Sequence, residues 1–224
     1  MLYEIMEPLT GKIDFSFLLM RSYYIAAIII IIISIAAFLW SFEKRKPKTR
    51  EVVLLAVMTA LAVVGRVAFF MTPQFKPCAA IIIITGIMFG RQSGFLCGVL
   101  TAFVSDFFFG QGPWTPWQMI AFGIIGLLSA MFFSGKRVKK AYNKIYISVY
   151  GFLVTFLLYG IIMDTATVFM YTDAPKLSTF IATYASGLFF NFVHGLSTFI
   201  FLYLISGVIL KKLNRLKNKF NIFE

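Results

Sequence analysis

Apolar residues run along this chain in long blocks and rarely alternate with polar ones. The first block, 22–42, is rich in isoleucine and stops at Glu43-Lys44-Arg45-Lys46. It is long enough to cross a hydrocarbon layer as a helix, which takes about 20 residues. Six further blocks follow, at 51–72, 77–90, 94–110, 115–134, 145–171 and 178–210. The pattern predicts an all-α polytopic membrane protein, with a six-helix domain over 51–210 and one extra N-terminal transmembrane anchor at 22–42. Around them lie an extracellular N-terminal segment (1–21), a cytoplasmic basic linker (43–50) and a cytoplasmic basic tail (211–224). The second block is short. Fourteen helical residues cover only about 21 Å, against an apolar layer of about 30 Å. Such a span borrows flanking residues, thins the bilayer or is partly re-entrant. The last block is long enough to tilt or protrude. No internal repeat or second domain is visible.

Composition agrees with this reading. Of 224 residues, 60% are hydrophobic and 13% charged, where soluble domains carry about 25% charged residues. The excess apolar surface needs lipid as its solvent. A net charge of +12 raises nucleic acid as a partner. The bases, however, cluster beside apolar blocks: Lys44, Arg45, Lys46, Lys48 and Arg50; Lys136, Arg137, Lys139, Lys140 and Lys144; Lys211, Lys212, Arg215, Lys217 and Lys219. No folded polar domain exists to hold a nucleic acid, so none is expected. Such clusters mark cytoplasmic loops and contact anionic headgroups. With 43–50 placed inside, the inside segments carry five, one, five and five of the 21 Lys and Arg residues. The outside keeps four: Lys12, Arg21, Lys76 and Lys176. One orientation therefore fits every loop, with the N-terminus outside and the C-terminus cytoplasmic. A cleaved signal would carry its positive charge before a shorter apolar run. Here the charge follows, and the first block reads as a retained anchor. The amphiphilic tail 211–220 continues the last helix along the inner surface.

Catalytic signatures are absent. The chain has no G-x-x-x-x-G-K-[ST], no H-E-x-x-H and no G-x-S-x-G. Its single histidine, His194, makes no His-based metal site alone. Cys78 and Cys97 fall near opposite faces of the membrane in this topology, too far apart for a disulfide, and read as packing residues. Neither enzyme activity nor a cofactor or metal is expected, and uphill transport would draw energy from an ion gradient or from partner proteins.

Three ionisable residues fall within predicted spans: Arg66, Asp106 and Asp164. Counted from the outer ends of their helices, all lie about 6–11 Å deep. At one level they either wall an outward-facing cavity or pair to fix helix packing; intramembrane charges do both. Asn191 and His194 lie deeper, one turn apart on one helix face, as interhelical hydrogen-bonding groups or as the floor of a ligand site. Two outer loops mix proline, aromatic faces and polar donors. One carries Gln74, Phe75 and Lys76; the other carries Gln111, Trp114, Trp117 and Gln118. The tryptophans suit an interfacial belt or a stacking platform for a flat ligand. Gly86, Gly90, Gly94 and Gly98 recur every fourth position and suit close internal helix packing. Ala56 and Ala60 form a small-x-x-x-small pair suited to a partner helix.

Three stretches together carry a family resemblance. They are Leu55-Ala56-Val57-Met58-Thr59-Ala60-Leu61, Phe75-Lys76-Pro77, and Phe108-Phe109-Gly110-Gln111-Gly112-Pro113-Trp114-Thr115-Pro116-Trp117-Gln118-Met119. Over about 50–210 the chain resembles the substrate-binding S component of energy-coupling factor (ECF) vitamin transporters, and is most similar to the cobalamin type. The resemblance implies a six-helix fold in a bacterial cell membrane. It also implies capture of a small vitamin, cobalamin or a related corrinoid first. It places Ala56 and Ala60 against a membrane coupling subunit, the T component, which two ATPases drive. The alternatives are an S component for another vitamin, or an autonomous ion-coupled transporter using Asp106 or Asp164. The anchor is an addition to the usual core.

Overall fold

The computed structural model describes residues 46–220, apart from 173–174 and the Lys136 side chain, and within the first block residues 25, 28–29, 32–33, 35–37 and 39–44. Six main helices follow one another: α1 (Thr49–Ala68), α2 (Cys78–Phe89), α3 (Arg91–Phe109), α4 (Thr115–Phe132), α5 (Lys144–Tyr171) and α6 (Leu177–Phe220). A short turn, Gly135–Arg137 and Val138–Ala141, joins α4 to α5. Among the described residues there is no strand. Five of the six helices are long and apolar enough to cross a membrane; α2 is the shorter one. The protein is an all-α polytopic membrane protein. Its helix ends fall in two groups. The starts of α1, α3 and α5 and the end of α6 share a basic end; loops 69–77 and 110–114, the end of α5 and the start of α6 share the opposite, loop end.

The short second span has a simple explanation. All 12 residues of α2 are buried, and α2 packs against each of the other five helices. A helix apolar all round belongs inside a bundle. Surrounded by protein, it has no need to match the thickness of the lipid layer.

Glycine brings the helices around α2 close together. Gly90, at φ +89°, turns the chain from α2 into α3 in a single residue, a backbone region that costs glycine nothing. A Cβ on Gly86 or Gly94 would collide with the Gly126 carbonyl of α4, and one on Gly98 with the Phe122 carbonyl. The four-residue repeat is thus the seam of α2 and α3 against α4, an internal contact as its spacing suggests.

Helices α5 and α6 form an antiparallel pair. Along it, Phe169 meets Phe180 with ring centroids 6.0 Å apart, Gly160 faces Asn191, Gly151 faces Leu202, and Gly207 faces Lys144. One π-helical stretch, Val154–Tyr159, widens α5 and turns Thr155 and Tyr159 into the core, a local irregularity often found beside functional sites. Helix α6 has 44 residues and is unbroken past 210. The tail packs back on α1, with the Arg50 guanidinium 5.2 Å from the Phe220 ring. The described residues of the first block are helical up to Lys44. Ile35 and Phe42 pack against the core, and Gln92 Nε2 of α3 donates to Ser41 Oγ at 2.6 Å.

Candidate functional site

Arg66, in the last turn of α1, reaches into the bundle and is buried. Its Nη1 donates to Asp106 Oδ1 of α3 at 2.9 Å and to Ser105 Oγ, and its Nη2 donates to Gln118 Oε1 of α4 at 2.7 Å. Asp106 Oδ2 accepts from Thr115 Oγ1 at 2.9 Å. The guanidinium also lies 4.9 Å from the Phe109 ring and 5.7 Å from the Phe122 ring. One cation therefore ties α1, α3 and α4 together at the loop end. Burial is tolerable because the pair is hydrogen-bonded on both sides.

The loop after α1 folds over this cluster. The Thr72 hydroxyl reaches the carbonyls of Phe69 and Phe75, each at 2.9 Å. Gln74 sits at φ +57°, a left-handed conformation that is uncommon for a non-glycine residue and concentrates at functional positions. The Phe75 ring packs at 5.5 Å from Phe201 and 6.1 Å from Phe69. The Lys76 ammonium stands 4.1 Å from the Phe109 ring, and its carbonyl accepts from Ser197 Oγ at 2.9 Å. Burial, and after it the Arg66 charge, push the Lys76 ammonium below the usual lysine range.

Beside the loop lies an open cavity of about 320 Å³. Gln74 and Gln118 line one side; Tyr159 and Asp164 of α5 and Asn191 of α6 line the other. The hydroxyls of Thr167, Thr183 and Ser186 add further polar groups. Asn191 Nδ2 donates to Asp164 Oδ2 at 2.8 Å. Two glycines seat that pair. A Cβ on Gly187 would stand 2.5 Å from Asp164 Oδ1, and one on Gly160 would stand 2.7 Å from Asn191 Nδ2. The arrangement suits a hydrogen-bonding ligand, with a carboxylate and three side-chain amides on its walls.

The predicted site residues are thus sorted by the fold. Gln74, Gln118, Asp164 and Asn191 border the cavity. Arg66 and Asp106 stand beside it, joined through Gln118. The three intramembrane charges divide into two groups: Arg66 bonds to Asp106, while Asp164 bonds to Asn191. Phe75 and Lys76 hold the loop to the bundle. His194 is buried, edge-on to Tyr159 at 4.6 Å and to Phe122 at 6.0 Å, behind the cavity wall. Gln111 Nε2 donates back to the Phe103 carbonyl at 3.0 Å. The Trp114 ring packs over Gly112. The Trp117 Nε1 is buried without a hydrogen-bond partner among the described residues. Gln111, Trp114, Trp117 and His194 are not among the residues lining the cavity. Ala56 and Ala60 are exposed on α1, among exposed Val53, Val57 and Val64.

Several lining residues escaped the sequence reading: Tyr159, Thr167, Thr183, Ser186 and Gly187. A signal was present. Thr183, Gly187 and Asn191 recur every four residues, a small polar stripe inside an otherwise apolar helix. Among the described residues, no group of three or more His, Cys, Asp or Glu side chains is placed to hold a metal. Cys78 and Cys97 are buried free thiols.

Comparison with known proteins adds a family. The model of a family described as "ECF-type riboflavin transporter, S component" matches residues 46–217. Among curated proteins, the UPF0397 protein of Vibrio atlanticus (strain LGP32) is 33% identical over 88 residues, which cover 37% of this chain and 48% of that protein. UPF0397 proteins of Aliivibrio fischeri (strain MJ11) and Aliivibrio salmonicida (strain LFI1238) are each 32% identical over 88 residues, with the same coverage. The chain spans about half the length of the curated relatives it matches. No solved structure gives a significant match.

Proposed function

The chain belongs to the ECF-type riboflavin transporter S-component family, a family of transporter subunits and not of enzymes, and we propose that it captures a vitamin-like solute for an ATP-driven importer. The observation that carries the proposal is the open polar cavity at the loop end, walled by Gln74, Gln118, Asp164 and Asn191. In this reading the basic end faces the cytoplasm and the loop end faces outward, so solute enters from outside. Gln74, Gln118, Asp164 and Asn191 hydrogen-bond the solute. The Arg66–Asp106 pair holds Gln118 in place, and the short first loop closes one side. Ala56 and Ala60 form the face that meets a coupling T component. Two ATPases acting through that subunit supply the energy, which agrees with the lack of any nucleotide-binding motif in this chain.

The cavity size bears on the solute. About 320 Å³ lies at the small end of small-molecule sites, which run from roughly 300 to 1,000 Å³. A carboxylate, amides and hydroxyls around that space suit a flat heterocycle with a hydroxylated chain, of flavin size. The loop Gly110–Gln118 supports a second reading, a corrinoid, through its resemblance to the cobalamin type. A corrinoid is much larger than the cavity and requires loops 69–77 and 110–114 to move aside. The test is ligand binding to the purified chain without ATP, with riboflavin and cobalamin as separate arms. Saturable binding of one of them, lost in Asp164→Ala, is the expected result. Failure of both to bind, together with gradient-driven uptake by this chain alone in liposomes, overturns the proposal in favour of an autonomous transporter.

A further inference from the structure

At the basic end, the start of α5 and the last turns of α6 enclose a groove of about 490 Å³. Gly207, Lys211 and Arg215 recur every four residues along α6, and Val208 and Lys212 run beside them. One stripe of the helix therefore faces Tyr142 and Lys144 across the groove. Four cations from two segments line it, and among the described residues no carboxylate does. Like charges gathered in one concave site repel one another and raise the local concentration of anions.

The groove is shaped for its charges. A Cβ on Gly207 would stand 3.0 Å from Lys144 Cε, so glycine there lets the lysine stem lie close across α6. The Lys144 ammonium comes 5.6 Å from the Tyr203 ring. The first amides of α5 are already used: Asn143 Oδ1 accepts from Ile145 N at 3.1 Å and Tyr146 N at 3.2 Å. An anion entering the groove thus meets side-chain ammonium and guanidinium groups, not the helix terminus.

Exposed apolar side chains adjoin the lining residues along the chain: Ile145 follows Lys144 on α5, Tyr203 and Leu204 lie one turn before Gly207 and Val208 on α6, and Val208 is itself exposed. A charged recess that opens onto an exposed apolar wall matches one kind of molecule, an amphiphile with an anionic head. We propose that this groove binds the phosphate headgroup of an anionic phospholipid, with its acyl chains along Ile145, Leu204 and Val208. Free phosphate shares the head's chemistry but has nothing to set against the wall. The site is remote from the solute cavity and does not depend on which solute is carried.

The test uses the full chain. Native mass spectrometry from mixed micelles of phosphatidylglycerol and phosphatidylcholine counts the lipids retained. Wild type is compared with Lys211→Gln/Lys212→Gln/Arg215→Gln and, separately, with Val208→Asp. Each cation near an anionic surface adds to binding, so the triple variant is expected to retain phosphatidylglycerol about tenfold less or weaker still. Val208→Asp is also expected to reduce it, by repelling the head and interrupting the wall. Circular dichroism checks that both variants keep the wild-type helix content. Equal retention of the two lipids by wild type overturns the proposal. Displacement of the phospholipid by an equal concentration of inorganic phosphate also overturns it, in favour of a free-phosphate site. So does a triple variant that keeps its lipid but loses co-purifying ATPase subunits, which would make the groove a protein-docking surface.

Discussion

Replacing Asp106 by Ala leaves the Arg66 guanidinium buried with its charge uncompensated. In the native chain that charge is met by Asp106 at 2.9 Å and supported by Ser105 and Gln118. Both Arg66 and Asp106 are almost fully enclosed, at 6% and 1% exposure. Removing one partner of a buried pair costs about 3–5 kcal/mol, because the desolvated survivor has lost its compensation. Thr115 Oγ1 also loses its acceptor, which adds about 1 kcal/mol. Asp106→Ala is therefore expected to destabilise the protein by roughly 4–6 kcal/mol. Replacing both charges, Arg66→Met with Asp106→Leu, removes the charge to be solvated and should recover most of the loss. The assay is reversible unfolding in mixed micelles by SDS titration, followed by circular dichroism, for the wild type, both single variants and the double variant. Two results refute the reasoning. One is a single-variant loss below about 1 kcal/mol, the size of an exposed pair. The other is a double variant whose loss equals the sum of the two singles, since groups that interact directly do not add.

Gln118→Ala should weaken solute binding by about tenfold, the usual size of one lost hydrogen bond to a ligand, while the melting curve in detergent stays cooperative; isothermal titration checks it. Trp117→Ala tests whether the neighbouring indole contributes, and the expected result is weaker binding in a folded protein. Ala60→Trp should leave solute binding intact and abolish co-purification with the coupling subunit; an intact complex would remove α1 as the docking face. Lys76 supplies a pH test. Its folded pKa lies below the 10.5 of a free lysine, so the unfolded chain holds more protons as pH rises toward that value. Stability should therefore rise with pH in the window just below 10.5, and the Lys76→Met variant should lack that share of the slope in parallel SDS titrations.

Much of the fold is legible in the sequence because lipid imposes long apolar blocks and short charged loops. The blocks at 51–72, 94–110, 115–134 and 145–171 each correspond to a helix with ends displaced by a few residues, and the block 178–210 to a helix that runs ten residues further, to Phe220. The glycine repeat points correctly to close packing, since only a side chain of no size permits backbones to meet. The continuation of α6 past 210 is legible as well, because the amphiphilic stretch 211–220 keeps apolar residues among its charges, and the helix does run on to Phe220. Which neighbours Leu213 and Phe220 find, on the bundle and on α1, is decided by packing.

The candidate site divides differently. The chain by itself determined that Arg66, Asp106 and Asp164 lie in apolar blocks, where an ionised side chain demands a partner or a polar cavity. Which partner each one takes is not written in the order of residues. Arg66 and Asp106 are 40 residues apart and meet because α1 and α3 pack side by side; Asp164 instead meets Asn191 because α5 and α6 pair antiparallel. The burial of α2 was decided in the same way: its 12 residues are too short to span lipid yet sit at the centre of the bundle. Hydropathy acts locally and sets which segments leave water. Contacts between distant segments depend on how helices cross, and only the packed bundle determines that.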